Sequence, residues 1–225
     1  MEIAKKAWNK EQENFRKYEA FECHLEEIKE ELNEDGVVEE KEVKRRQISA
    51  RCAPLPGGRE TQRISPEMHQ KNPHDSSSIL DHVDLFDWKL EAEDATQGEV
   101  CYRLAFCPRK AGKNLGGREG VIAKSSGHCW VAKSDFSKRR LEGRLIHPVE
   151  VVGFFVTVRE VDFLSTTRRL AHGIAAPEQV RYRFLVEIFP MFEFHERHTQ
   201  NFRFGETAQS TDPLKVQKGG VAGLN

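Results

Sequence analysis

VRYRFLVEIFPMFEFHERHTQNF, residues 180 to 202, alternates apolar and polar side chains as far as a proline and then resumes. Val180, Tyr182, Phe184, Val186 and Ile188 fall on one face of an extended chain and Arg181, Arg183 and Glu187 on the other, because successive side chains of a strand point to opposite faces. Pro190 has no N–H for a strand ladder and ends the segment, and MFEFHERHTQNFRF behind it reads as a last strand.

The same period of two recurs upstream. Phe86, Trp88, Leu90 and Ala92 alternate with Asp87, Lys89, Glu91 and Glu93; ATQG turns the chain; Val100, Tyr102, Leu104 and Phe106 then alternate with Cys101, Arg103, Ala105 and Cys107. A basic, Gly-rich loop follows over 108–120, and the next strand is expected over 121–133. The KSDFS turn leads into RRLEGRLI, where Leu141, Gly143 and Leu145 share one face while Arg140, Glu142 and Arg144 share the wet one. Which parity faces inward at 128–132 is left open, since Trp130 and Val131 are both apolar. Residues 150–163, rich in β-branched side chains, read as strand, and AHGIAAPEQ as another turn.

Towards the N-terminus, Ile3, Ala7, Trp8 and Phe15 recur at near-helical spacing, which predicts a short amphipathic helix over 2–17 docked by Trp8 and Phe15. YEAFECHLEEIKEEL suits a longer helix or a strand; the NEDG turn signal at 33–36 favours a hairpin of 18–32 with 37–49, its charged second arm forming an edge strand. Residues 52–78, with four prolines, read as a long exposed connection, Ile79 to Phe86 as two helical turns of a small lid, and 205–225 as a flexible tail. Hairpin after hairpin without a βαβ unit predicts a mainly β fold. The expectation is a curved antiparallel sheet or unclosed half-barrel, with an N-terminal helix and a short helical or loop lid, forming one domain over 1–204.

Composition excludes several function classes. Lys and Arg (35) nearly cancel Asp and Glu (36), which argues against nucleic acid as a partner, and no apolar run reaches the roughly 18 residues of a membrane-spanning helix. The start, MEIAKKAWNKEQENF, carries no apolar segment behind a basic one, so no secretory signal is read in it. The five cysteines, Cys23, Cys52, Cys101, Cys107 and Cys129, form no C-x-x-C pair, and at least one lacks an intrachain partner.

Candidate chemistry is sparse. His195 and His198 are three apart, which on a strand sends their rings to opposite faces and rules out a shared metal; Cys129 and His128 diverge for the same reason, so the base does not reach the thiol. GKNLGGREG lacks the G-K-[ST] ending of a phosphate loop, and Asp81, Asp84, Asp87 and Asp94 lack calcium-loop spacing. No catalytic residue, metal or cofactor is therefore assigned. What remains is the apolar face, which is core in a closed barrel and a ligand wall in an open one.

The segments DWKLEAED, GEVCYRLAFCPRK, GHCWVAKSDFSKRRLEGRL and VRYRFLVEIFPMFEFHERHTQNF together resemble bacterial envelope proteins of the outer-membrane lipoprotein-sorting type, relatives of the periplasmic lipoprotein carrier and its outer-membrane receptor. The resemblance covers about residues 1–204 and rests on the ordered set of a G-x-x-C-Y-x-L-x-F-x-P strand, a G-x-x-W-V-x-K-x-D hairpin start and an R-L-E-G strand. It implies an unclosed antiparallel barrel, a non-enzymatic role in transport at the periplasm or outer-membrane periphery, and a lipid or lipidated protein as partner. On that reading the acyl-chain wall comprises Tyr102, Leu104, Phe106, Trp130, Leu141, Tyr182, Phe184 and Val186. The rival reading is an envelope sensor or interaction module on the same fold, its partner another envelope protein and its concavity filled by side chains.

Overall fold

The computed structural model describes residues 1–18, 22–49, 79–109, 117–152, 155–170 and 173–205. The 52–78 connection, the middle of the Gly-rich loop and the tail beyond Gly205 lie outside them.

Helix α1, Glu2–Tyr18, opens with an acidic residue and closes with Arg16 and Lys17, the charge order that its dipole favours. It docks by its small side chains. Ala4 and Ala7 are 1% and 0% exposed, and their lack of bulk lets the helix lie close on the sheet. This corrects the expectation that Trp8 docks it. Trp8 is 38% exposed and instead donates its indole N–H to Asp81 at 3.2 Å, joining the helix to the lid turn. Asn14 is buried as well, and Lys138 from the sheet is ion-paired with Glu11 of the helix.

The NEDG hairpin forms as expected, from β1 (Glu22–Leu32) and β2 (Val38–Ser49) with Gly36 at φ 76 in the turn. Residues Ile79–Leu85 make a short 3-10 helix whose Ile79, Leu80 and Val83 are buried, matching the expected lid segment. β3 (Phe86–Thr96) and β4 (Glu99–Pro108) join through Gln97 and Gly98, both at positive φ, as a two-residue hairpin turn requires.

Two boundaries differ from expectation. Gly117–Ala123 is a helix, α2, and strand β5 starts only at Ser125 and runs to Ala132. A short apolar run such as VIA suits either state; as a helix it turns both Ile122 and Ala123 inward, and the Ser125 hydroxyl donates to the Val121 carbonyl at 2.7 Å where the helix ends. The single strand expected over 150–163 is two, β7 (Val149–Val152) and β8 (Val156–Arg169), paired antiparallel. β6 (Lys138–Leu145), β9 (Ala175–Ile188) and β10 (Phe192–Phe204) complete the set.

These ten strands form one antiparallel sheet in the order β2-β1-β10-β9-β8-β6-β5-β4-β3, with β7 added beside β8. β2 and β3 are its free edges, so the barrel is unclosed. The charged β2 sits at one edge, as expected from its sequence, where its charges deter pairing with another chain. Both α1 and the 3-10 helix pack on one face, over Leu104, Phe106, Cys129, Val131 and Leu141.

Candidate functional site

The strand registers assign every side chain to a face. On the helix-covered face a continuous row runs Phe106, Gly127, Gly143, Phe163, Tyr182, His198 across six neighbouring strands. The two glycines explain how its aromatic rings meet. A Cβ on Gly143 would stand 2.5 Å from Phe163 Cζ and 3.1 Å from Phe106 Cζ, so its absence opens the space in which those rings stack at 6.5 Å. Further along, Tyr182 stacks on His198 at 5.1 Å and lies 6.0 Å from Phe184.

Of the eight residues proposed from the sequence as a wall, seven share this face, in two environments. Leu104, Phe106 and Leu141, at 3%, 2% and 4% exposure, pack with Ala4, Ala7, Leu80 and Val83 beneath the helices. Tyr102 borders them, stacked on Phe136 at 6.4 Å. Tyr182, Phe184 and Val186 lie outside that core cluster and are only half-buried. This apolar strip continues to the β9–β10 turn, where Phe189, Met191, Phe192 and Phe194 are exposed. Phe163 and Phe194 belong to the strip and were missed in the sequence, although their parity within each strand pointed to it.

Trp130 stands apart from the other seven. Val131, wholly buried, takes the helix side, and ordinary alternation along β5 leaves the neighbouring indole on the opposite face, its N–H 3.5 Å from Asp94 and the Arg140 guanidinium 5.1 Å from its ring centroid.

That opposite face is polar. An open groove of about 790 Å³ crosses from Ala105 on β4 to Arg197 on β10, lined by His128, Arg140, Glu142, Arg144, Asp162, Arg181 and Arg183. His128 faces it and lies 3.2 Å from Glu91, while the thiol of Cys129 points into the core, where burial pushes it up to about 12. A thiol so placed is neither ionised nor within reach of that base. His195 and His198 also lie on opposite faces, the first bonded to the Asn33 carbonyl at 3.1 Å and the second to Glu196 at 2.8 Å. Among the described residues no three His, Cys, Asp or Glu side chains gather as a metal site would need, and no helix is long and apolar enough to cross a membrane.

The fold is thus an unclosed antiparallel half-barrel with an N-terminal helix, the architecture expected from the sequence. No family model matches the chain, and no curated protein is similar to it in sequence. Three solved structures are similar to it at low TM-scores. A domain from Vibrio parahaemolyticus assigned to outer-membrane lipoprotein sorting is 11% identical, with 93% of this chain and 96% of that one covered and a TM-score of 0.36. A DUF1329 family protein from Desulfovibrio piger is 14% identical, with 88% and 90% covered and a TM-score of 0.34. A LolA superfamily protein from Nitrosomonas europaea is 11% identical, with 85% and 90% covered and a TM-score of 0.32.

Proposed function

We propose that the protein is a non-enzymatic carrier of the lipoprotein-sorting kind, working at the periplasm or outer-membrane periphery and holding an acyl chain of a lipid or lipidated protein along the uncovered part of its apolar face. One observation carries the reading: α1 and the 3-10 helix pack over the β4–β6 part of that face and α1 also touches β9, while Tyr182, Phe184 and Val186 stay half-exposed outside the core cluster and lead to an exposed Phe189, Met191, Phe192 and Phe194. Hiding each methylene of an acyl chain from water contributes about 0.8 kcal/mol, so such a strip binds lipid without any catalytic group. Tyr102, Leu104, Phe106 and Leu141 enter the wall only if α1 lifts, because Ala4 and Ala7 now cover that patch.

The test is native mass spectrometry of gently purified protein, followed by titration with a fluorescent fatty acid. Co-purified acyl lipid, or fatty-acid binding weakened in Phe184→Asp, supports the carrier. A protein that comes off empty and binds no fatty acid, or a folded Phe184→Asp variant that binds as the parent does, sinks it and favours a module with a protein partner.

A further inference from the structure

The groove on the far side of the sheet has a composition at odds with the rest of the chain. The protein as a whole has a formal net charge of −1, yet five arginines, Arg140, Arg144, Arg181, Arg183 and Arg197, line one groove against two carboxylates, Glu142 and Asp162. Pairing places Arg144, Asp162, Arg183 and Arg197 in one row across β6, β8, β9 and β10, and Arg181 in the adjoining row opposite Leu164 and Thr199.

Their partners divide them into two groups. Arg183 gives Nε to Asp162 at 3.1 Å, Arg140 gives Nε to Glu142 at 3.0 Å and Arg197 gives Nε to Glu30 at 2.7 Å. Each carboxylate takes the Nε side of a guanidinium, which fixes its orientation and leaves Nη1 without a protein acceptor among the described residues. Arg144 and Arg181 have no acidic partner there at all. The positive charge that Arg144 and Arg181 bring to the groove is not neutralised by any acidic group there, and an anion relieves the repulsion it creates.

We propose that this groove binds a phosphate-bearing ligand. A monocarboxylate brings one charge and satisfies one guanidinium fork, whereas a phosphate monoester brings about −1.5 to −2 charges and three acceptor oxygens, enough for guanidinium groups arriving from separate strands. The five arginines lie on the other face of the sheet from the acyl-chain strip, and the groove meets that strip only at Phe106, Gly127, Gly143 and Phe163, which also line it.

The test is calorimetric titration of the full chain with pyrophosphate and with citrate at low ionic strength, beside flotation with phosphatidic acid and phosphatidylcholine vesicles. The variants are Arg144→Gln with Arg181→Gln, whose side chains are exposed and unpaired, and Arg159→Gln as a control outside the groove. Saturable pyrophosphate binding, weakened about tenfold or more in the double variant and unchanged in the control, supports the site and assigns it to soluble phosphates. Flotation with phosphatidic acid and not with phosphatidylcholine, lost in the same double variant, supports it with a lipid headgroup as the source. Citrate binding as tight as pyrophosphate, equal binding by the double variant, or no binding to any phosphate probe overturns it.

Discussion

Arg139 donates from Nε and Nη2 to one oxygen of Glu99, at 3.1 and 3.0 Å, from a side chain only 1% exposed. Arg169 meets the same carboxylate at 3.3 Å and also reaches Asp135 at 3.0 Å, so β4, the β5–β6 turn, β6 and β8 are joined at one end of the sheet by a single ionic cluster. Asp135 is held below its ordinary range there. Burial alone would raise it, but the Ser137 hydroxyl and backbone N–H, Arg139 and Arg169 together more than offset that.

Removing one member of a buried cluster strands the others. Arg139→Met is expected to cost about 3–5 kcal/mol in urea denaturation, because Glu99 and Asp135 lose their most buried partner. Arg169→Met, at a 39% exposed side chain, should cost about 1 kcal/mol or less. Equal costs for the two would show that burial does not set the strength of this cluster.

The close approach of β5 to β6 makes a sharper prediction. A Cβ on Gly127 would stand 2.0 Å from the Glu142 carbonyl oxygen and 2.5 Å from Gly143 Cα, both backbone atoms that cannot turn aside. Gly127→Ala is therefore expected to lose about 3 kcal/mol or more, or not to fold. Gly98→Ala, whose added Cβ meets nothing within 4 Å, should lose only the roughly 1 kcal/mol of a strained positive φ. A melting temperature for Gly127→Ala within error of the parent would contradict the register described for β5 and β6.

Stability should fall at both pH extremes for identifiable reasons. Arg197 holds Glu30 below the ordinary carboxylate range, against the effect of its burial, and Lys41 adds to this. A depressed folded value means stability that is present above the unfolded value of about 4.3 and is lost as pH falls through the folded value. Glu30→Gln should accordingly cost more stability at pH 7 than at acid pH, the difference shrinking as pH falls through the folded value. Lys138 runs the other way. Burial alone would lower its ammonium, but Glu11 more than offsets that and raises it. Its contribution is full below about 10.4 and lost as pH rises through the folded value, so Lys138→Met should flatten the alkaline limb of a stability–pH curve.

Thiol chemistry provides an independent check on which strand face is core. Cys107 is exposed, whereas Cys129 is buried with its thiol pushed up to about 12. Iodoacetamide at pH 8 followed by peptide mapping should modify Cys107 in the native protein, and Cys129 only in urea. Native labelling of Cys129 at the rate of Cys107 would place β5 with the wrong face inward.

Local sequence carried much of the architecture. The period of two in β9 and β4, Pro190 between β9 and β10, and turn residues at 33–36 and 95–98 each act within a few residues, so strands, hairpins and the charged edge strand β2 were legible without tertiary information. An alternating strand, however, states only that it has two faces. Whether Trp130 or Val131 turns inward depended on the register of β5 with β4 and β6 and on the space left beneath α1, neither of which β5 encodes alone. VIA at 121–123 suits helix or strand until Ile122 meets the core. The groove depended most on tertiary structure: Arg140, Arg144, Arg181, Arg183 and Arg197 come together because β6, β8, β9 and β10 lie side by side in the sheet. The wet face of β6 and of β9 was readable from its own alternation, while the sum of charge on one side of the sheet exists only once those strands pair.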